Sequence, residues 1–467
     1  MLFERGGLLN KRLIMNKKWK TAISTALCSA LFGGCLIGSV ASANNGATPL
    51  KEAFSPIFRM AVCSDIHLTT TNSNLQKKFE KFFDTAYAYS ENSTEYQTLD
   101  AVVVTGDLLH TPSAANMSLL QDSLYKKLKR ETEFLGMIGN HDEEDLYASM
   151  IDYRLDKSIE VKGFHLIGLS LDASGNCTDA QLEWLNTELK EANEADVNKP
   201  IFTFQHFHID NTVHGSEGSG GFGHSPSSAK LDAAYSEYSQ VVNFSGHSHL
   251  AINSPRSIHQ RDYTAVGVGT FKDTGVDKYD PVLSEYSTWT DSPKYSAAAA
   301  SLYRIVEVDV NNRVRILTYD MNTQALAKST STTDSEEEVV EFIIEDVRDK
   351  STFAYTDARF DSATAPFFKD SATLNFSEIT ATTAKVSFIQ ADDESCMYSY
   401  RVVCKDGSGK EITLDFLDDF YYNENNKDEA LTISGLSAST QYTVSVYPIN
   451  IWGKVGTAIT GTLTTTA

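Results

Sequence analysis

The chain has few basic residues and few cysteines for its length. Its 467 residues include 62 acidic and 40 basic side chains, which gives a formal net charge of -22. This excess repels polyanions and leaves no basic stripe, so we expect no nucleic-acid binding by general electrostatics. The six cysteines match no zinc-ligand spacing, and the chain shows neither internal repeats nor a coiled-coil pattern. At roughly 150 residues per domain, two or three domains are expected.

Long apolar runs are also missing, except near the N-terminus. An apolar run over residues 21–40 is followed by small residues at 41–43 and preceded by three lysines, Lys17, Lys18 and Lys20. This pattern predicts a signal peptide over residues 1–43, a mature chain beginning near Asn44, and a secreted or cell-surface protein. Two alternatives are retention of the run as a membrane anchor and, as a minor one, a lipoprotein signal at Cys35.

Four cysteines lie outside the N-terminal segment. Cys63 falls within an apolar run and is predicted to be a small buried side chain. Cys396 and Cys404 lie on what the pattern predicts to be strand residues. A disulfide between them would suit an exported protein, but the sequence alone does not establish it.

Short β-branched runs alternate with helix-like segments between residues 57 and 317. The first predicted strands are 57–64, 101–105, 133–138, 164–169, 201–205 and 241–245. Apolar residues recur at helical spacing over 75–89, 118–132 and 179–193. Thr178 is a plausible N-cap for the last of these helices. The alternation predicts an α/β fold for this part of the chain.

The second half of the chain is predicted to be rich in strands. Residues 263–268, 301–310 and 313–319 predict another sheet face, and residues 336–344 follow a polar stretch. We predict a catalytic domain over 44–350, a linker over 351–365 and a small all-β sandwich over 366–467. The strands predicted for that sandwich are 374–376, 384–388, 398–404, 431–433, 442–447 and 458–463.

Five polar motifs each follow a predicted strand. They are Asp65-x-His67, Gly106-Asp107, Gly139-Asn140-His141-Asp142, His206 and Gly246-His247-Ser248-His249. Loops at the carboxyl ends of strands are where α/β proteins bind ligands. Oxygen and imidazole ligands suit hard to borderline metals. Two cations about 3.5–4 Å apart can clamp the attacking and leaving oxygens of a phosphoryl transfer, so the set predicts a two-metal hydrolase site.

Spacing and residue type indicate a role for the members of the first three motifs. Asp65 and His67 are two residues apart, so both side chains can point the same way. Asp107 follows a glycine that allows close backbone approach, and its carboxylate can bridge two cations. Asn140 offers an amide oxygen, which leaves His141 free to protonate a leaving oxygen, since imidazole titrates near neutrality.

The later motifs leave more choice. His206 is assigned as a ligand and His208 as a pocket wall, with the reverse assignment left open. His247 and His249 flank Ser248, so both imidazoles can face one cleft. Asp142 either orients its neighbouring histidine or solvates the start of the next helix.

The ordered motif set resembles the signature of the calcineurin-like metallophosphoesterase superfamily, which runs D-x-H, G-D, G-N-H-[DE], H and G-H-x-H. Mixed histidine, carboxylate and amide ligands suit two divalent or trivalent ions, with manganese, iron or zinc expected and the choice among them left open. The resemblance covers about residues 55–320 and implies a four-layer α/β/β/α sandwich. It implies a catalytic His141. It further implies a first metal held by Asp65, His67, Asp107 and His249, and a second held by Asp107, Asn140, His206 and His247.

Three further features concern this resemblance and the rest of the chain. Purple acid phosphatases carry a tyrosine ligand three residues after the Gly-Asp aspartate, whereas this chain has His110, so their phenolate–iron site is not expected. His110 is either an additional pocket residue or polar surface. Residues 208–238 form a glycine-rich insertion that is either a lid or a surface loop. Residues 436–444 resemble the tyrosine-corner strand of fibronectin type III domains, which implies that type for residues 366–467.

The predicted function is that of an exported metal-dependent phosphoesterase. It would hydrolyse small phosphomonoesters or phosphodiesters through a dinuclear metal centre and a metal-bridging hydroxide. The alternative is a cell-surface binding protein whose β-sandwich is the functional part and contacts cell-wall or extracellular glycan.

Overall fold

A computed structural model describes residues 53–217, 223–275, 295–297, 299–333, 338–418 and 428–467. The predicted signal peptide over 1–43 lies outside these residues, and so do Gly218, Gly220 and Gly221 of the glycine-rich insertion. Among the described residues, no helix combines the length and the apolar character needed to cross a membrane.

Helices and strands alternate in the first half of the described chain, and the second half contains mostly strands. The helices are α1 Ser73–Asn92, α2 Ala114–Lys127, α3 Glu144–Met150, α4 Asp179–Ala195, α5 Ser228–Ser236 and α6 Ala358–Ser362. The strands are β1 Pro56–Cys63, β2 Ala101–Val104, β3 Glu133–Gly136, β4 Lys157–Val161, β5 Phe164–Gly168, β6 Ile201–Gln205, β7 Val241–Ser245, β8 Ile258–Gln260, β9 Thr264–Gly267, β10 Thr274–Gly275, β11 Tyr295–Ser296, β12 Leu302–Asp309, β13 Val314–Asp320, β14 Ala325–Leu326, β15 Glu341–Ile344, β16 Asn375–Ser377, β17 Thr383–Ile389, β18 Met397–Asp406, β19 Glu411–Leu417, β20 Asp428–Ser434, β21 Gln441–Asn450 and β22 Ile459–Thr464.

Two mixed sheets form the first part of the molecule. One has seven strands in the order β14-β13-β12-β1-β2-β3, with β15 also paired to β13, and its strands β1, β2 and β3 are parallel. The other has six strands in the order β4-β5-β6-β7-β9-β8, and β5, β6, β7 and β9 run parallel. This mixture of parallel strands and helices confirms the predicted α/β class.

The two mixed sheets share one buried hydrophobic core. Phe58 of β1 stacks on Phe202 of β6 with ring centroids 5.9 Å apart, and residues from both sheets belong to the same cluster. Helices α1 and α2 contribute to a second cluster with the first sheet, while α4 and α5 contribute to a third with the second sheet. Burial of these apolar faces removes them from water and fixes the relative positions of the strand ends.

Residues 375–418 and 428–464 form two antiparallel sheets, which we call the C-terminal sheet pair. Their strand orders are β16-β17-β20 and β19-β18-β21-β22, and one buried cluster contains side chains from both. The hydroxyl of Tyr442 accepts a hydrogen bond from the backbone N–H of Ser437 at 2.8 Å, as a tyrosine corner requires. Cys396 and Cys404 are buried free thiols, and Cys396 directly precedes the strand that contains Cys404.

Several boundaries differ from the predictions for local reasons. The helix predicted over 118–132 begins at Ala114 because Ser113 caps it, accepting from the N–H of Asn116 at 3.2 Å, and it ends at Lys127. The capping box of α4 confirms Thr178 as its N-cap. Helices α3, α5 and α6 and strands β4, β8, β10, β11, β14 and β19 are absent from the predictions. The segment 351–365 contains α6, and its partly buried side chains Phe360 and Ala363 pack against an apolar cluster.

Candidate metal centre

All five motifs lie directly after strands whose carboxyl ends meet at one edge of the two mixed sheets. The first three follow β1, β2 and β3, and the last two follow β6 and β7. The structure brings together all seven predicted metal ligands at this edge. Six of them are buried and Asn140 is partly exposed; they are Asp65, His67, Asp107, Asn140, His206, His247 and His249.

Five of these seven residues have backbone angles in the left-handed region, which is uncommon for residues other than glycine. Their φ values are 51° for Asp65, 46° for His67, 50° for Asp107, 72° for His247 and 56° for His249. Such a backbone costs about 1–3 kcal/mol per residue and persists only where the surrounding structure enforces it. Strain of this kind is concentrated at functional sites.

The first group of ligand atoms surrounds Asp65. Its Oδ1 lies 3.0 Å from Nε2 of His249 and 3.9 Å from Nε2 of His67. The His67 Nε2 lies 3.5 Å from Oδ2 of Asp107 and 3.2 Å from Nε2 of His249. One donor atom from each of these four residues therefore lies within 4.8 Å of the others.

The second group shares Asp107 with the first. Oδ1 of Asp107 lies 3.3 Å from Nε2 of His206. The same His206 nitrogen is 3.2 Å from Nδ1 of His247 and 3.1 Å from Oδ1 of Asn140. The two oxygens of Asp107 thus face different groups. A carboxylate in this position can bridge two cations.

The donor set fits divalent metal ions. Asp65 Oδ1, which faces Nε2 of both His249 and His67, is a buried atom that no hydrogen bond satisfies among the described residues. Buried polar atoms rarely stay unsatisfied, and a cation among several lone pairs satisfies carboxylate and imidazole atoms together. The mixed oxygen and nitrogen ligands are those that manganese, iron and zinc accept.

Burial and neighbouring charge set the protonation of the metal-free site. Burial lowers the pKa of both His67 and His247 to about 3, which keeps these imidazoles in the neutral form that binds metals. Burial also opposes charge on His206, but Asp107 and Asp65 outweigh it and raise the pKa of His206 to about 9. The pKa of Asp107 itself falls to about 2 because His206 outweighs the effect of burial. A cation that binds His206 must therefore displace a proton from its imidazole.

His141 lies beside both groups without belonging to either. Its Nδ1 is 2.9 Å from the carbonyl oxygen of His110, so Nδ1–H donates to that oxygen and Nε2 is left for other contacts. Its ring is 4.7 Å from the ring of His67 and 6.0 Å from the ring of His110, centroid to centroid. His110 therefore stands beside His141 and His67, and one ring nitrogen of each of these three histidines lies within 4.8 Å of the others.

His208 takes no part in either ligand group. Its Nδ1 lies 2.7 Å from the hydroxyl of Ser245, and its Nε2 lies 2.9 Å from the hydroxyl of Ser248. Both ring nitrogens are thus engaged by serines, whereas His206 points into the second group. The structure thus places His208 as a buried side chain outside both groups.

Two aspartates support the ligands in ways that the motifs did not indicate. Asp142 accepts hydrogen bonds from the backbone N–H groups of Leu108, Leu109 and Gly139 at 2.8–3.0 Å, which ties the β2 and β3 loops together. Asp273 accepts from Nδ1 of His249 at 2.8 Å. Asp142 stands inside a recognised motif, but no sequence pattern marks Asp273.

A buried cluster of this composition, placed at strand ends and sharing one carboxylate, is typical of metal-dependent hydrolases. Residues 58–251 match the family model for calcineurin-like phosphoesterases. The match and the buried cluster together support a metal-dependent phosphoesterase in this part of the chain. No curated protein matches the sequence.

Three similar solved structures each cover less than a quarter of the chain. The FN3 domain of human collagen XX is 23% identical over 22% of this chain and 100% of that chain, with a TM-score of 0.17. The sensor domain of an anti-sigma factor in Pseudobacteroides cellulosolvens is 20% identical over 23% of this chain and 99% of that chain, also with a TM-score of 0.17. The FN5 domain of Drosophila Lar is 16% identical over 22% and 98%, with a TM-score of 0.15. Similarity at these TM-scores supports no conclusion about fold or function.

Proposed function

We propose that this protein is an exported phosphoesterase that hydrolyses small phosphomonoesters or phosphodiesters at a dinuclear metal centre. The observation that carries the proposal is the position of Asp107, whose two oxygens face two separate groups of ligand atoms. The family match over residues 58–251 supports the same reaction class.

In this proposal each metal has its own ligands apart from the shared aspartate. When bound, the two cations supply positive charge that activates water and stabilises the charge on the phosphoryl group. The strained ligand backbone holds the side chains in place before substrate arrives, which lowers the cost of reorganisation. The first ion would be held by Asp65, His67, Asp107 and His249, and the second by Asp107, Asn140, His206 and His247.

His141 is the proposed general acid. The hydrogen bond from its Nδ1 to the carbonyl oxygen of His110 fixes the ring orientation. In the protonated ring, Nε2–H can then be donated to the departing oxygen of the ester. His110 stands beside it and would contact the same substrate.

The wider organisation of the chain is part of the proposal. A four-layer α/β/β/α arrangement is supported by two sheets that share one core and by helices that pack with each sheet. We retain the predicted domain boundaries, with a signal peptide over 1–43, a catalytic domain over 44–350, a linker over 351–365 and a fibronectin type III-like domain over 366–467. Export follows from the proposed signal peptide.

The first test compares hydrolysis of a nitrophenyl phosphate monoester with that of the bis-nitrophenyl diester. The protein is stripped of metal with a chelator and then assayed with and without added Mn²⁺. We expect turnover that depends on Mn²⁺, and we expect His141→Ala to lower kcat by about 10²- to 10⁴-fold, the usual contribution of general acid catalysis.

His165→Ala serves as the matched control, because His165 lies on β5 and pairs with Glu160 of β4, outside the ligand groups. Its kcat should equal that of the wild type. Absence of turnover with manganese, iron or zinc on either ester would refute the proposal and shift support to the binding-protein alternative.

A further inference from the structure

The C-terminal sheet pair touches the chain two residues after a proposed metal ligand. Ala251, which follows His249 closely, is buried in an apolar cluster whose other members come mostly from the C-terminal sheet pair. We call it the interface cluster. Its buried members are Ala251, Ala299, Cys396, Tyr398, Leu417, Ile449, Ile451 and Trp452.

A second contact runs through the loop 211–217. A Cβ added at Gly215 would lie 2.9 Å from Cβ of Ser248 and 2.7 Å from Cδ1 of Leu250, so this loop packs directly on the segment that carries His247 and His249. On its other side, the ring of His214 is 5.7 Å from the ring of Tyr398, centroid to centroid. The loop therefore lies between the ligand segment and the C-terminal sheet pair.

Helix α6 strengthens the same junction. The guanidinium of Arg359 donates to the carbonyl oxygens of Pro255 at 2.8 Å and Ile258 at 2.6 Å, and it lies 5.1 Å from the ring of Trp452. The ring of Phe360 meets the same tryptophan edge to face at 4.9 Å. An aromatic side chain of the C-terminal sheet pair is thus held against the chain that leaves the metal centre.

Residues 330–332 attach the sheet pair at a separate place. The N–H of Thr332 donates to the carbonyl oxygen of Asp393 at 3.0 Å, and the N–H of Asp393 donates to the hydroxyl of Thr332 at 2.7 Å. The hydroxyl of Thr330 donates to the carbonyl oxygen of Ser395 at 2.8 Å. Attachment at two places, one of them a buried apolar cluster, restricts relative motion of the two parts.

We infer that the C-terminal sheet pair is a positioning element of the metal centre, in which Tyr398 and Trp452 hold the loop 211–217 and the segment 247–252 in place. The inference rests on the proposed function and extends it. Its physical basis is the left-handed backbone of His247 and His249, at φ 72° and 56°, because such a conformation persists only where surrounding packing enforces it.

The test uses two tyrosines of one strand in the full chain. Tyr398 and Tyr400 both lie on β18 and both are fully buried, but Tyr398 belongs to the interface cluster and Tyr400 to the cluster inside the C-terminal sheet pair. The substitutions are Tyr398→Leu and, as the matched control, Tyr400→Leu. Affinity for Mn²⁺ is measured by competition with a chelator, and hydrogen exchange of residues 211–217 and 247–252 is measured in metal-free protein.

We expect Tyr398→Leu to weaken Mn²⁺ binding by about 10-fold, at the lower end of the effect of residues that support metal ligands. Hydrogen exchange should become faster in both segments. Tyr400→Leu should lower the melting temperature and leave the affinity and the exchange of these segments unchanged. Trp452→Leu, which removes the contact with Arg359, should act like Tyr398→Leu.

The outcomes separate this inference from the proposed function. Wild-type protein that binds none of Mn²⁺, Fe²⁺ and Zn²⁺ would refute the proposed function itself. If the wild type binds Mn²⁺ and all three variants match it in Mn²⁺ affinity and in hydrogen exchange of the two segments, the positioning role is overturned. The proposed metal centre would then stand.

Discussion

At the scale of single residues, the side chains that hydrogen-bond to the proposed metal ligands determine how those ligands are oriented. Asp273 offers two oxygens to Nδ1 of His249, the carboxylate Oδ1 at 2.8 Å and the backbone carbonyl at 3.1 Å. These contacts keep the proton on Nδ1 and turn Nε2 toward Asp65. A carboxylate in this position raises the basicity of the imidazole and strengthens its bond to a metal.

Removal of the Asp273 carboxylate should therefore weaken the first metal position. We expect Asp273→Ala to lower the affinity for Mn²⁺ by about 10- to 100-fold, measured by competition with a chelator. Asp273→Asn should have a smaller effect, because its amide oxygen still accepts from His249. Asp210→Ala is the control, since Asp210 lies 3.1 Å from Nδ1 of His224 in a pair outside the ligand groups. Equal losses in the two alanine variants would contradict this role.

At the scale of elements, the junctions between strands and ligand loops are the most crowded positions of the site. A Cβ added at Gly139 would lie 2.3 Å from Oδ1 and 2.5 Å from the backbone nitrogen of Asp107. Neither atom can move freely, because Oδ1 belongs to the second ligand group and the nitrogen to the β2 loop. Glycine at this position is therefore needed for the close approach of the two loops.

Gly139→Ala should push the β2 and β3 loops apart. We expect a loss of about 1–3 kcal/mol in the free energy of unfolding, the usual cost of overpacking, together with weaker Mn²⁺ binding. Urea denaturation of metal-free protein measures the first effect. Gly407→Ala is the control, because a Cβ there would meet nothing within 4 Å. A neutral Gly139→Ala would show that the loops are not held in contact.

The sequence predicts elements best where strands are buried and regular. The strands predicted over 201–205 and 241–245 coincide with β6 and β7, and each is followed by a predicted ligand motif. Short elements such as α3, with seven residues, carry too few turns for a helical period to be recognised. The support from Asp142 was not predictable either, because its three hydrogen-bond donors come from two loops that only the folded sheet brings together.

At the scale of the whole molecule, the sequence predicted that a β-rich segment follows the α/β part but not that the two are packed together. Strands in which apolar and polar residues alternate predict a sheet with one apolar face. The contact between His214 and Tyr398 joins residues that are distant in the chain, and neither position carries a pattern that indicates its partner. The packing of the C-terminal sheet pair against the α/β part therefore depends on surfaces that exist only after both parts have folded.

Metal binding should be visible in the stability of the whole protein. A ligand that binds only the folded state at 100 times its Kd adds about 2.7 kcal/mol to the free energy of unfolding. Calorimetry with and without Mn²⁺ should show a transition that shifts to higher temperature as the Mn²⁺ concentration rises. His141→Ala should keep this shift, because His141 contributes no atom to the two groups that share Asp107.

Asn140→Ala provides the comparison, because its side-chain oxygen lies 3.1 Å from Nε2 of His206 within the second group. This variant should lose part of the shift, although the two residues are neighbours in the chain. The pair therefore separates metal binding from proton transfer, which activity alone cannot do because both variants are expected to be slow. A shift lost in His141→Ala and kept in Asn140→Ala would reverse the two roles and require His141 to be a ligand.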